Sequence, residues 1–147
     1  MSGVLPRRVF FDSDTVIAGS ASTTGAAHAL LALSELGIVR GFVSAQVVDE
    51  CRRNLEKKIP AALPALNAVI ARSVEVQRSP SANWMAAASR HAHPKDVPIL
   101  AAALQARASY LVTFNVKDFH PPRNLKIEIL RPGEMLDKIR RDLSGES

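Results

Sequence analysis

PKDVPILAAALQARASYLVTFNVKDF, residues 94–119, is the stretch whose reading decides the fold of this chain. Asp96 stands at the head of an apolar, alanine-rich segment in which Val97, Leu100, Ala101, Leu104 and Ala108 recur at helical spacing. Pro98 falls in the first turn, where a missing N–H loses nothing because first-turn donors have no intrahelical acceptor. The pattern predicts a helix with Asp96 as its N-cap. Tyr110, Leu111 and Val112 then make a short apolar strand that opens onto a polar loop holding Thr113, Asn115, Lys117 and Asp118. An acid at a helix head, followed by a buried strand ending in polar groups, suits a site at the carboxyl edge of a parallel sheet.

Working outward, Val9, Phe10 and Phe11 form a continuous apolar run ending in Asp12, as in a central strand covered on both faces. Ser13, Asp14 and Thr15 offer capping side chains, Val16–Ala18 starts a short helix closed by Gly19, and 20–25 reads as loop. A helix over Ala26–Leu36 stops at Gly37, and Gly41–Val43 is a brief second strand. Ser44 caps a helix reaching Lys58, on which Val47, Val48, Cys51 and Leu55 share an apolar arc of about 100°. Asp49 points away from that arc, while Glu50 lies about 60° off its edge and can lean over the protein. Pro60–Ala71 is a further helix, Val74–Gln77 a weak third strand, and Ser79 to Ser81 cap a helix running through Trp84 to about His91. Ile127–Ile129 alternates as an edge-like strand, Gly133–Leu143 is a terminal helix, and 144–147 reads as frayed. The expected fold is a single domain over 1–147, a three-layer α/β/α sandwich around a mainly parallel sheet of four to five strands.

Composition agrees. The chain is 47% hydrophobic but only 5% aromatic, a core of Ala, Leu, Val and Ile that favours helices on a sheet. Its 19 Lys and Arg against 14 Asp and Glu give a net charge of +5, which admits a polyanionic partner. The single cysteine, Cys51, excludes an internal disulfide and fits a reducing compartment. No apolar run approaches the ~20 residues of a membrane span, and the N-terminal apolar stretch is cut off by Asp12. The expected setting is soluble and cytoplasmic, with no membrane partner.

Asp12 ends the first strand, Glu50 sits on the helix after the second, Asp96 heads the helix before the fourth, and Asn115 and Asp118 follow the fourth. In an open parallel sheet these places converge on one edge. Carboxylates gathered without basic partners repel one another and hold raised pKa values. A hard divalent cation, Mg²⁺ or Mn²⁺, removes the conflict and prefers oxygen ligands. Such an ion can orient a phosphodiester, activate water and neutralise charge on the leaving oxygen. With a basic surface, the chemistry that follows is metal-assisted phosphodiester hydrolysis.

VFFDSDTVIAG, the helix acid in SAQVVDECRRNL, and DVPILAAALQARASYLVTFNVKDF together resemble the PIN-domain nucleases over nearly the whole chain. The resemblance is to the small single-domain kind that serve as toxins in VapBC-like toxin–antitoxin pairs. It implies a Mg²⁺-dependent ribonuclease, an RNA substrate, a small antitoxin partner and a homodimer. By position, Asp12, Glu50 and Asp96 match the family's acidic triad. Asn115 matches a fourth place that often holds aspartate, and Asp118, three residues on, is a candidate to supply the missing charge. The expected catalytic set is Asp12, Glu50, Asp96 and Asp118, with Asp12, Asp96 and Asn115 as metal ligands. Asp14, Thr113, Asn115 and Arg53 are the expected supporting and substrate-contacting residues.

Each has a plainer reading. Asp12 or Asp14 can cap the following helix, Glu50 can be a border residue, Asn115 can hold a turn, and Thr113 can merely finish a strand. Arg52, Arg53, Lys57 and Lys58 are either a phosphate-contacting face or a solvated one. His91 and His93 lack the third soft ligand that a zinc site needs, and Trp84 and Tyr110 read as core. FFDSDTV also resembles the opening of haloacid-dehalogenase-type phosphatases, with Asp12 as nucleophile and Asp14 as acid/base; TFNVKDF is a poor match to their late acidic motif. A catalytically degenerate member that binds RNA or protein without cutting is the other alternative.

Overall fold

β1 (Arg7–Phe11) is the middle strand of a five-stranded, wholly parallel sheet in the computed structural model, which describes residues 5–145. The remaining strands are β2 (Val39–Ser44), β3 (Val74–Gln77), β4 (Tyr110–Val112) and β5 (Glu128–Leu130), in the order β3-β2-β1-β4-β5. The helices are α1 (Ser13–Ala21), α2 (Ala26–Glu35), α3 (Ala45–Lys58), α4 (Leu63–Arg72), α5 (Ala82–Ala88), α6 (Val97–Gln105) and α7 (Pro132–Leu143).

The unbroken apolar run of β1 has its reason here. Successive strand residues face opposite sides of the sheet, and Val9, Phe10 and Phe11 are all fully buried, so both faces are covered. Burial of side chains of this size is worth roughly 1.5–3 kcal/mol each. α1 packs on α2, α3 and α4, α2 on α7, and α5 on α6, which also lies against β2 and β4. The three-layer α/β/α expectation is borne out. Among the described residues no single helix is long and apolar enough to cross a membrane.

The order of the strands matters most for function. From β1 the chain moves one way to β2 and β3, then crosses to the other side of β1 for β4 and β5. The crevice between the carboxyl ends of β1 and β4 is therefore the topological switch point, where open α/β sheets bind ligands. The ladder continues one step beyond β1, with Asp12 N–H donating to Val112 O, at the end of β4, at 3.0 Å.

Several boundaries differ from expectation. α1 does not close at Gly19 but runs to Ala21, so part of 20–25 is helix. A Cβ at Gly19 would stand 2.5 Å from Leu31 Cδ1 and 3.1 Å from Ala27 O, so the glycine serves the close approach of α1 to α2. The expected helix over 60–71 is a 3₁₀ turn at Pro60–Ala62 followed by α4. β5 lies one residue later than the alternation of 127–129 suggests, and β2 is longer at both ends. Of the stretch expected to fray, residues 146 and 147 lie outside the described residues.

Candidate functional site

Asp12 leaves β1 at the carboxyl edge with its side chain almost wholly buried. Its Oδ1 accepts the Ser13 N–H at 2.8 Å, and its Oδ2 accepts from the Thr113 hydroxyl at 2.9 Å. Asp12, not Asp14, is thus the N-cap of α1. Asp14 reaches across to the segment after β4. Its Oδ2 accepts the Phe114 N–H at 3.0 Å and the Asn115 side-chain amide at 3.3 Å, and lies 3.2 Å from Thr113 Oγ1. Thr113 has one hydroxyl proton and two carboxyl groups within reach, while its oxygen accepts the Asn115 N–H at 3.1 Å. It can donate to only one acid at a time, so both contacts are hydrogen bonds together only when one carboxyl carries a proton.

Glu50 arrives from α3. Its Oε2 accepts from Ser13 Oγ at 2.9 Å, and its Oε1 accepts from Gln46 Nε2, one turn earlier, also at 2.9 Å. The helical angles place it correctly: Asp49 is exposed and Glu50 half-buried. Residues Pro94–Asp96 form a 3₁₀ turn ahead of α6. Asp96 stands at the N-cap position of α6, as expected, but its side chain does not cap it. Its Oδ2 is buried without a hydrogen-bond partner. A buried carboxylate oxygen left unmet is costly, which makes this atom the clearest mark of a missing ligand.

Asp12, Asp14, Glu50 and Asp96 line one cleft of about 260 Å³ with Ser13, Lys95, Ile99 and Asn115. Burial and mutual charge act on them together. Burial, then the charge of Asp14, and further off that of Asp96, push the Asp12 carboxyl up to about 7 against the pull of its bonds from Thr113 and Ser13. Burial likewise raises Asp14, opposed by the donors from Phe114, Thr15 and Thr113. Asp96 is raised by burial, with Lys95 opposing and Asp118 adding. Beneath them Cys51, which points its thiol at Ser13 O from 3.7 Å, is pushed up to about 12 by burial and by the charge of Glu50.

A divalent cation fits this donor set. Among the described residues, no three His, Cys, Asp or Glu side chains gather into a ready-made metal cage. Mg²⁺ does not need one, since it keeps several waters and takes one or two carboxylates beside a substrate phosphate. The orphaned oxygen of Asp96 and the buried Asp12 are the carboxylates that could hold it. Asn115 has its amide nitrogen committed to Asp14, which leaves its carbonyl oxygen as the part able to meet an ion.

Two expected residues stand apart. Asp118, on the turn Val116–Asp118, does not line the cleft, though its charge is close enough to raise Asp96. Arg53 lines a neighbouring concavity of about 690 Å³ with Glu50, Asn54, Glu56, Lys57 and Lys58. Three polar residues of the site escaped the functional reading: Ser13 and Lys95, which line the cleft, and Gln46, which holds Glu50. The i, i+4 spacing of Gln46 and Glu50 was the available signal for one of them.

Comparison with known proteins bears on the fold and the family. A chain of VapBC2 from Rickettsia felis, in a crystal structure bound to a DNA fragment from their promoter, superposes with a TM-score of 0.61 at 17% identity, covering 84% of this chain and 97% of that one. VapC20 of Mycobacterium tuberculosis, described as a sarcin-ricin loop cleaving toxin, gives a TM-score of 0.48 at 17% identity, covering 70% of this chain and 86% of that one. No curated protein matches the sequence. Residues 8–117 match the PIN domain family, a span that takes in β1 from Arg8 on, the acid of α3 and the whole segment from Asp96 to Asn115. The chain belongs to the PIN domain family.

Proposed function

We propose that this chain is a Mg²⁺-dependent endoribonuclease, with Mn²⁺ as a competent substitute, and the toxin of a toxin–antitoxin pair. The observation that carries the reading is the meeting of Asp12, Asp14, Glu50 and Asp96 in one cleft at the sheet's switch point, with one Asp96 oxygen buried and unpartnered. Asp12 and Asp96 would hold the ion, with the carbonyl of Asn115 as a third protein oxygen. When bound, the ion supplies activation of water and neutralises charge on the phosphate oxygens. Glu50, fixed by Ser13 and Gln46 but half-exposed, is placed to take a proton from water entering the cleft. Asp14 and Thr113 position Asp12 and the loop over 113–115, and Asp118 tunes Asp96 by its charge. Lys95 and Arg53 bind phosphates of the strand on either side of Glu50.

The described domain acts in the cytoplasm as a homodimer restrained by a small antitoxin. The fold shared with a VapBC2 chain supports the antitoxin, and the basic balance of the whole chain supports the RNA. Cleavage of RNA in Mg²⁺ by the wild type and by Asp96→Asn, in highly purified samples, tests the reading. The wild type should cut and lose activity with chelator, with Mn²⁺ restoring it, while the variant falls by about 100-fold or more. Equal cleavage by the two, or cutting that resists chelator, overturns the assignment. A wild type that binds RNA without cutting it would instead mark a degenerate member.

A further inference from the structure

Phe114 is the one aromatic side chain that the fold does not use. The chain has five Phe, one Tyr and one Trp. Phe10, Phe11, Phe42, Phe119 and Tyr110 are buried, and Trp84 packs half-buried against the core. Phe114 is 47% exposed and joins no core cluster. Its backbone is nevertheless held at the acidic cleft. Its own N–H donates to Asp14 Oδ2 at 3.0 Å, and the residues on either side, Thr113 and Asn115, bond to Asp12 and Asp14. A large apolar ring is kept in water on a pinned loop, one residue from the cleft lining.

We propose that Phe114 is a base-stacking platform, holding one nucleobase of a single-stranded RNA beside the scissile phosphate. This rests on the ribonuclease reading above and adds to it how the substrate is gripped. Single strands are bound by aromatic faces that stack unpaired bases while cations track the backbone. Both parts are present: the ring on the loop, Lys95 in the cleft and Lys117 on the next turn. A stacked base needs no particular hydrogen-bonding edge, so the platform selects unpaired over paired RNA rather than one sequence. The bond from Phe114 N–H to Asp14 couples the platform to the acids, setting the distance between the stacked base and the phosphate that is cut.

Steady-state cleavage of an unstructured oligoribonucleotide by wild type, Phe114→Leu and Phe114→Trp tests this. Leucine keeps an apolar side chain but removes the π face, and should raise KM about 10- to 100-fold with kcat within about twofold. Tryptophan should bring KM back to within about threefold of wild type. A 2-aminopurine placed next to the cleavage site should be quenched on binding to the wild type and the tryptophan variant, not to the leucine variant. If the wild type cleaves and Phe114→Leu has the same KM and the same quenching, stacking is overturned and the nuclease reading stands. If the wild type neither binds nor cleaves RNA, both fall.

Discussion

Replacing Asp12 with asparagine should stabilise the metal-free protein while removing its activity. The Asp12 carboxyl titrates at about 7 in the fold, against 3.8 for the free side chain, because burial and the charge of Asp14 disfavour its ionised form. A raised folded value means that the folded state binds the extra proton between these limits. Stability is then fully present below about pH 4 and is lost as pH rises toward 7. At about 1.4 kcal/mol per unit of pKa, the span from 3.8 to about 7 is a penalty of roughly 4 kcal/mol at pH 8. Asparagine carries no charge and keeps one acceptor oxygen for Ser13 or Thr113. The weakened second bond costs about 1 kcal/mol. Asp12→Asn should therefore be about 2–3 kcal/mol more stable at pH 8 in chelator, a rise of about 5–10 °C in Tm for a chain of this length. Thermal unfolding followed by circular dichroism at pH 4 and pH 8 measures it. At pH 4 the advantage should vanish or reverse, and Mg²⁺ at pH 8 should lift the wild type alone. An asparagine variant less stable than wild type at pH 8 without metal would refute the reasoning.

Other outcomes follow from single contacts. Thr113→Val removes the hydroxyl between Asp12 and Asp14 and should cost about 1–3 kcal/mol in denaturant unfolding, with RNA cleavage falling at the same time. Gly19→Ala puts a methyl 2.5 Å from Leu31 Cδ1, with Ala27 backbone behind it, and should cost about 1–3 kcal/mol in the same assay without touching the cleft. The Cys51 thiol, buried and pushed up to about 12, should resist a disulfide reagent at pH 8 in the native protein and react at once on unfolding.

Much of the fold was legible because its rules are local. A β-rich apolar run ending in Asp12 suits a strand covered on both sides, and the angles of α3 separate Asp49 from Glu50. What escaped depended on distant partners. Gly19 reads as a helix stop until Leu31 is known to press on it. Asp14 reads as a cap because its donors, residues 113–115, lie about a hundred positions away. Asp96 reads as a cap because nothing in its neighbours announces the 3₁₀ turn that turns its carboxylate from the helix toward the cleft. The family match likewise sets aside the phosphatase reading of Asp12 and Asp14, which rested on the first motif alone.

The proposed activity requires carboxylates from distant segments to share one cleft with a divalent cation. A Mn²⁺ titration at pH 7.5, followed by electron paramagnetic resonance on wild type and Asp96→Asn, tests that claim most directly. The wild type should take up Mn²⁺ and the variant should bind it at least about tenfold more weakly, since one of its few protein oxygens is gone. Equal Mn²⁺ binding by the two proteins, or none by either, would contradict it.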